Sequence, residues 1–283
     1  MTAQWDTVTI VGVGLIGGSA GLALAKRGAA KKIIGVGRSV SSLEAAKELG
    51  AISEGTTNIR EGVAGADFVL VATRVSVIGN QLEEIDTCVR PGTPITDAGS
   101  TKQSIVDRWE QSRSSRKGRF VGSHPLAGSH KRGPQAADPA LFEDKLTVLT
   151  PVESTPQSDT QSISAFWQLI GAQVCHLSPS EHDRLLASAS HAPHIVAAAL
   201  AAATPREAHR FTAGGWRDTT RIAAGDPDLW ADILLDNAKA VTVQMENFSQ
   251  VSDQLQHAIE EGDRPTLIKL LTLAKESRDA LGS

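Results

Sequence analysis

The chain has 283 residues, enough for one large or two ordinary domains with cores of their own. A formal net charge of −4 and a pI near 6.1 provide no general basic field, which argues against nucleic acid or an anionic membrane as the main partner. Cys88 and Cys175 have no metal-ligand spacing and read as idle thiols of a reducing compartment. Met1 to Asp6 lacks the basic-then-apolar pattern of a secretory signal, so a soluble cytoplasmic protein is expected.

Thr7-Val-Thr-Ile-Val11 is a continuous apolar run of strand length, as for a strand covered on both faces of a parallel sheet. Gly12-Val-Gly-Leu15-Ile16-Gly17 follows, and Gly18 to Arg27 reads as a helix of small residues. Strand, G-x-G-x-x-G and helix together mark a dinucleotide site. Gly12 makes the tight turn, Gly14 admits a pyrophosphate, and Gly17 lets helix and strand pack closely. The free N–H groups at the helix start, near Leu15 and Ile16, face the phosphates.

The second strand, Lys32 to Val36, ends at Gly37, where NAD enzymes normally carry the acidic residue that accepts the ribose hydroxyls. Arg38 and Ser39 follow instead. A guanidinium beside hydroxyls suits a 2′-phosphate, so NADP is expected in preference to NAD.

Strands and helices then alternate. Asp67 to Thr73 is a strand, Val75 to Asp86 a helix, and Pro94 to Asp97 a short strand whose end, Gly99 to Lys102, opens another helix. Arg119 to Gly122 reads as a strand end leading into a loop, Ser123 to His130, with two histidines. Leu146 to Leu149 and Gln173 to Leu177 read as later strands flanking a helix from about Pro156 to Ile170. Ligands of open α/β sheets gather at the carboxyl ends of parallel strands. One rim should therefore hold Thr73 and Arg74, Asp97 to Lys102, and the histidine loop. Histidine titrates nearest neutrality, so His124 and His130 invite an acid–base reading.

Beyond Pro179 the strand signal stops. Glu181 to Ala203 reads as one long buried helix, kinked at Pro193, with His191 and His194 on a shared face. It carries Ser188, Ser190 and two histidines and is rich in alanine, so a membrane span is not expected. Gly214 to Ala223 is a polar turn entering a short helix. A helix capped by Asp226 and started by Pro227 should then run to about Glu261, about 50 Å at 1.5 Å per residue. Leu234, Val241, Phe248 and Leu255, interleaved with Ala238, Met245 and Ile259, form a helix–helix seam on it. The seam's expected partner is the last helix, Pro265 to Leu281, or a second subunit, and a homodimer through this region is favoured.

Several motifs in order resemble the prephenate/arogenate dehydrogenase family over nearly the whole chain. They are Gly12 to Ser19, Asp97-Ala-Gly-Ser-Thr-Lys102, Ser123-His-Pro-Leu-Ala-Gly128, Ser190-His-Ala-Pro-His194, Arg217-Asp-Thr-Thr-Arg-Ile-Ala223 and Asp226 to Ile233. The resemblance implies a Rossmann-type dinucleotide-binding domain over 1–178 and an all-helical substrate-binding and dimerisation domain over 179–283, with the active site between them. The implied reaction is oxidative decarboxylation of a cyclohexadienol, prephenate or arogenate, in tyrosine biosynthesis. By the same resemblance His124 is the base or acceptor at the substrate hydroxyl, with Ser100 beside it. Arg221 binds a carboxylate, His194 and Ser190 contact the side-chain end, Asp218 orients Arg221 or His194, and Trp230 closes the site, from its own or the partner subunit. His191 reads instead as a core histidine.

Two positions depart from relatives. Arg74 stands where proline is common, and His130, beside Ser129 and followed by Lys131 and Arg132, stands where an acidic residue is common. Arogenate carries an ammonium where prephenate has a keto group, so a basic loop favours prephenate. Rival readings are a β-hydroxyacid or pyrroline-carboxylate reductase type of dehydrogenase, which would commonly use a lysine on a C-terminal helix, and a non-catalytic NADP-binding regulatory protein.

Overall fold

The computed structural model describes residues 3–112, 115–128, 133–280 and 282. Eight strands form one sheet: β1 (Trp5–Val11), β2 (Ala30–Val36), β3 (Glu54–Thr56), β4 (Phe68–Val71), β5 (Pro94–Asp97), β6 (Arg119–Pro125), β7 (Leu146–Thr150) and β8 (Gln173–His176). Their order is β3-β2-β1-β4-β5-β6-β7-β8. All neighbours run parallel except β6 and β7, which are antiparallel.

Phe68 to Val71 are buried throughout, as the uninterrupted apolar run of β4 requires for a strand with helices on both faces. One face is covered by α1 (Leu15–Lys26), α2 (Val40–Glu48) and α6 (Gln157–Leu169), around Leu24, Phe68, Phe166 and Trp167. The rings of Phe68 and Phe166 stack there at 4.3 Å. The other face carries α3 (Ile59–Val63), α4 (Val75–Cys88) and α5 (Gln103–Ser112), around Ile78, Leu82, Ile105 and Trp109.

The structure differs from the sequence reading in three places. The strand β3 carries only Glu54-Gly-Thr56, too short and polar to announce itself. β6 runs on through His124 to Pro125, because β7 pairs with it and sets His124 opposite Val148; His124 therefore stands on a strand end and not in a free loop.

The long helices are the third. The segment from Pro179 to Ala203 is α7 (Pro179–Leu186), a π turn (Ala187–His191) and α8 (Ala192–Ala203). Pro193 has no N–H to continue the ladder, and the turn before it widens to compensate. By length and composition alone this segment could cross a membrane, but His182, Asp183, His191 and His194 are buried within the protein along it.

The expected helix from Asp226 to Glu261 also breaks, at Asn237, into α10 (Pro227–Asp236) and α11 (Ala238–Glu260). The Asn237 side chain is buried and donates to the Asp183 carbonyl at 2.8 Å, which draws the backbone out of register at that point. Asp226 caps α10 as expected, accepting from Asp228 N at 3.1 Å. The remaining helices are α9 (Gly214–Thr220), followed by a 3₁₀ turn (Arg221–Ala224), and α12 (Arg264–Asp279). Of the expected seam Val241 is buried, whereas Phe248 and Ile259 are exposed, as are Val251, Ile268 and Leu271.

Candidate active site

The carboxyl ends of β1, β4, β5 and β6 share one rim. At β1, Gly12 has φ +97°, and a Cβ there would lie 2.5 Å from the Ala72 carbonyl oxygen. A Cβ on Gly17 would lie 1.9 Å from the Gly12 oxygen, so the first and third glycines are demanded by chain packing. The second differs: a Cβ on Gly14 would meet nothing within 4 Å, and Gly14 caps α1 with no side chain satisfying the first N–H groups. Open space over Gly14, with the N–H groups of Leu15 and Ile16 free of partners among the described residues, fits a dinucleotide pyrophosphate.

At the end of β2, a Cβ on Gly37 would come within 3.2 Å of Leu43, so the position normally carrying a carboxylate is closely hemmed in. Arg38 and Ser39 are exposed beside it, and the Ser39 hydroxyl caps α2 and pairs with Ser41 at 2.7 Å. At β4, Thr73 donates to Gln81 Oε1 at 2.5 Å. Arg74 reaches across to the helical half, 3.7 Å from Asp226.

Asp97 ends β5 fully buried and organises the next two loops. Its Oδ2 accepts from Gly99 N at 2.9 Å and its Oδ1 from Ser123 N at 3.0 Å. The residues just before Ser100 and His124 thus hang on one carboxylate. Lys102, equally buried, pairs with the same carboxylate. Burial pulls the Lys102 ammonium below its usual range against the pull of Asp97.

The imidazole of His124 meets a second histidine that the sequence reading passed over. His124 Nδ1 lies 2.9 Å from His182 Nε2, and His182 Nδ1 lies 2.7 Å from Asp183 Oδ1. Asp183 in turn accepts from the backbone N–H groups of Lys102 and Gln103 at 2.8 and 2.9 Å. Burial raises the Asp183 carboxyl, but the bonds from His182, Gln103 and Lys102 outweigh it, and the group stays below its ordinary range. Burial, then the neighbouring His182 and Lys102, push His124 well below 6.5. His124 is therefore an uncharged imidazole at neutral pH, able to accept a proton.

From the helical half, His194 lies flat against Trp230, ring centroids 3.6 Å apart and planes 11° apart. Its Nδ1 is buried with no partner among the described residues, and burial lowers its pKa. Gly225 makes the stack possible, since a Cβ there would sit 2.4 Å from Trp230 Nε1. Trp230 thus packs on a histidine of its own chain. His191 is 1% exposed, bonds Asn237 Nδ2 at 3.1 Å, and is pushed down to about 4 mainly by burial. Ser190 lies half-buried in the π turn. Arg217, Asp218 and Arg221 are exposed on α9 and its 3₁₀ turn, and Asp218 bonds neither Arg221 nor His194. Ser129 and His130 lie outside the described residues.

Residues 20–176 match the prephenate dehydrogenase nucleotide-binding domain, and residues 178–273 match the prephenate dehydrogenase dimerization domain. The chain belongs to the prephenate dehydrogenase family. It is an NAD(P)-dependent oxidoreductase, and a nicotinamide dinucleotide is the cofactor that the glycine turn, just ahead of the matched residues, is shaped to receive. The chain is 38% identical to prephenate dehydrogenase of Bacillus subtilis (strain 168), over 99% of this chain and 77% of that protein. Its fold is similar to that of the A. aeolicus enzyme in a crystal structure with hydroxyphenyl propionate and NAD+, at TM-score 0.88 and 32% identity over 98% of both chains. It is also similar to Synechocystis arogenate dehydrogenase, at TM-score 0.82 and 30% identity over 97% of this chain and 99% of that one.

Within the family's fold, the two halves meet through polar pairs that sequence reasoning missed. Ser76 donates to Asp232 at 2.8 Å, and Thr101 and Ser104 both donate to Asp236, at 2.5 and 2.6 Å. His182 and Asp183 were hidden because they look like an ordinary polar first turn of α7. Only the packing of α7 against α5 shows that His182 faces His124 and that Asp183 stands behind His182.

Proposed function

We propose that this chain catalyses oxidative decarboxylation of prephenate to 4-hydroxyphenylpyruvate, passing a hydride to NAD(P)+, in tyrosine biosynthesis. The observation that carries the reading is an uncharged His124 at the end of β6, joined by one buried carboxylate, Asp97, to the loop holding Ser100 and the dinucleotide rim. A bound dinucleotide supplies the hydride acceptor. The chain supplies the rest. His124 accepts the proton of the ring hydroxyl, with Ser100 as its neighbour at that oxygen. His194, whose buried Nδ1 has no partner among the described residues, and Ser190 receive the substrate's side-chain end, and Trp230 holds His194 in place. Arg221 binds a carboxylate through its planar guanidinium. Asp218, Ser129 and His130 are assigned to substrate binding.

The dinucleotide is held by Gly12, Gly14, Leu15, Ile16, Gly17 and Thr73. Arg38 and Ser39 favour NADP, because no carboxylate stands at the end of β2 to repel a 2′-phosphate. Arg74, given its pairing with Asp226, serves the joint between the halves more than a phosphate. The domain division is drawn at 178/179, beside the junction of the two family matches, the first of which ends at 176 and the second of which begins at 178. The protein is soluble and cytoplasmic, and the exposed apolar side chains of α11 and α12 are covered in a homodimer. The second reading, arogenate or dual use, is weighed against by the basic run His130-Lys131-Arg132 where an acidic residue would suit an ammonium.

Initial rates at 340 nm with prephenate and arogenate, each with NAD+ and NADP+, test these assignments. Prephenate with NADP+ should give the highest kcat/KM. Turnover with neither cyclohexadienol refutes the activity, and a large excess of kcat/KM for arogenate or for NAD+ refutes the corresponding preference. His124→Asn should bind dinucleotide normally and lose nearly all turnover.

A further inference from the structure

The chain His124–His182–Asp183 leaves only one arrangement of protons in which His124 can work as a base. Asp183 is a carboxylate, so it only accepts, and His182 Nδ1 must carry the hydrogen between them. An uncharged His182 then has a bare Nε2, and His124 Nδ1 must donate to it. That leaves His124 Nε2 bare; it makes no hydrogen bond among the described residues. If His182 were already charged, its Nε2 would donate to His124 Nδ1, and Nε2 of His124 would carry the hydrogen and could accept nothing.

We propose that His182 is a positioning residue that fixes His124 in its Nδ1–H form and, in turnover, takes and later returns that Nδ1 proton. This rests on the reading of His124 as base toward a cyclohexadienol. The chemistry needs a proton lent and not lost. As the C–H electron pair departs to the dinucleotide, the hydroxyl O–H bond breaks, its pair becomes the ring C=O, and the proton goes to His124 Nε2. Loss of CO2 then sends the C–C pair into the ring, leaving an aromatic ring and a phenolate oxygen, which takes the proton back. Between the two events one proton must be held away from solvent. Passing the Nδ1 proton of His124 to His182 Nε2 moves the positive charge next to Asp183, whose carboxylate is fixed by two backbone N–H groups.

The surroundings favour that displacement. Lys102, from the loop after β5, faces His124 and opposes charge on it, though Asp97 pairs with that ammonium. His191, from the π turn, also opposes charge on His124, and Asp183 offsets charge on α7. Asn237, on the break between α10 and α11, donates to the Asp183 carbonyl and so holds α7 in register with His124.

The test uses 15N-histidine-labelled full-length protein and two variants, His182→Gln and His182→Met. Glutamine places an amide oxygen where Nε2 stood, so it accepts from His124 but takes no proton; methionine does neither. Long-range 15N–1H NMR of the wild type with no substrate should show His124 protonated at Nδ1 and bare at Nε2. His182→Gln should keep that signature and His182→Met should lose it. With prephenate, His182→Gln should lower kcat by about 10-fold or more while KM and dinucleotide Kd stay within about 2-fold. Its solvent-deuterium proton inventory should become linear where the wild type is curved.

A wild-type His124 protonated at Nε2 overturns the proposal. An unchanged kcat and proton inventory in His182→Gln overturn the proton-holding role. Wild-type protein that turns over neither cyclohexadienol refutes the proposed function instead, and the NMR signature still decides the hydrogen-bond order.

Discussion

The imidazole of His194 and the indole of Trp230 stack face to face at 3.6 Å, joining α8 to the first turns of α10. Trp230 covers one face of the ring whose buried Nδ1 has no partner among the described residues. Trp230→Leu leaves an apolar cover but no stacking plane. An aromatic pair contributes about 1 kcal/mol beyond its buried area. KM for the cyclohexadienol should therefore rise about 5- to 10-fold, with kcat and dinucleotide affinity little altered. Steady-state kinetics beside a dinucleotide titration checks this, and a change confined to kcat would contradict it.

Gly12 and Gly14 should separate folding from binding. Gly12→Ala puts a methyl 2.5 Å from the Ala72 oxygen at φ +97°, and it should cost about 2 kcal/mol or more in stability as well as dinucleotide affinity. Gly14→Ala meets no protein atom within 4 Å. It should melt like the parent and still bind dinucleotide at least about 10-fold more weakly, because the methyl occupies the phosphate's approach. Thermal melts and fluorescence titrations decide both.

Lys102 and Asp97 form an ion pair with neither side chain exposed. Removing one partner of such a pair typically costs about 3–5 kcal/mol, since the other charge stays buried. Lys102→Met should therefore destabilise the fold strongly in urea melts. Adding Asp97→Asn should recover part of that loss, because the amide oxygen can still accept from Gly99 or Ser123. Failure of the double variant to recover would show that the carboxylate's charge itself is required.

Stability should fall with acidity through His191. In the unfolded chain this histidine protonates near 6.5, whereas in the fold it stays neutral down to about 4. Below pH 6.5 the unfolded state binds more protons, so stability declines as pH falls toward 4 and then levels off on this account. The full shift corresponds to about 3 kcal/mol. His124, lowered in the same direction, adds to the slope. His191→Gln, which can still bond Asn237, should flatten the decline between pH 6.5 and 4 in urea melts. An unchanged slope would assign the acid sensitivity elsewhere.

Much of the scaffold was legible in the chain because its signals are local. A glycine turn between a strand and a helix, apolar runs of strand length and an Asp-Pro helix start each depend on a few neighbouring residues. Gly12 and Gly17 proved to be required by close backbone contacts, as the motif implied. The interruptions were not legible. A kink was expected at Pro193, but what the structure shows is a π turn just before it, and the break at Asn237 depends on a side chain reaching Asp183, 54 residues away.

The sequence by itself determined the family, the sheet-then-helices order, the seat for a dinucleotide and His124 as the residue of interest, because ordered motifs and hydrophobic periods need no knowledge of distant partners. Tertiary structure decided what surrounds His124. Its extension of β6, the histidine at 2.9 Å, the carboxylate behind that histidine and the shared anchor of Asp97 come from segments between 24 and 80 residues apart in the chain. Hydrogen-bond order and burial set the proton state of an imidazole, and both arise only when those segments are packed together.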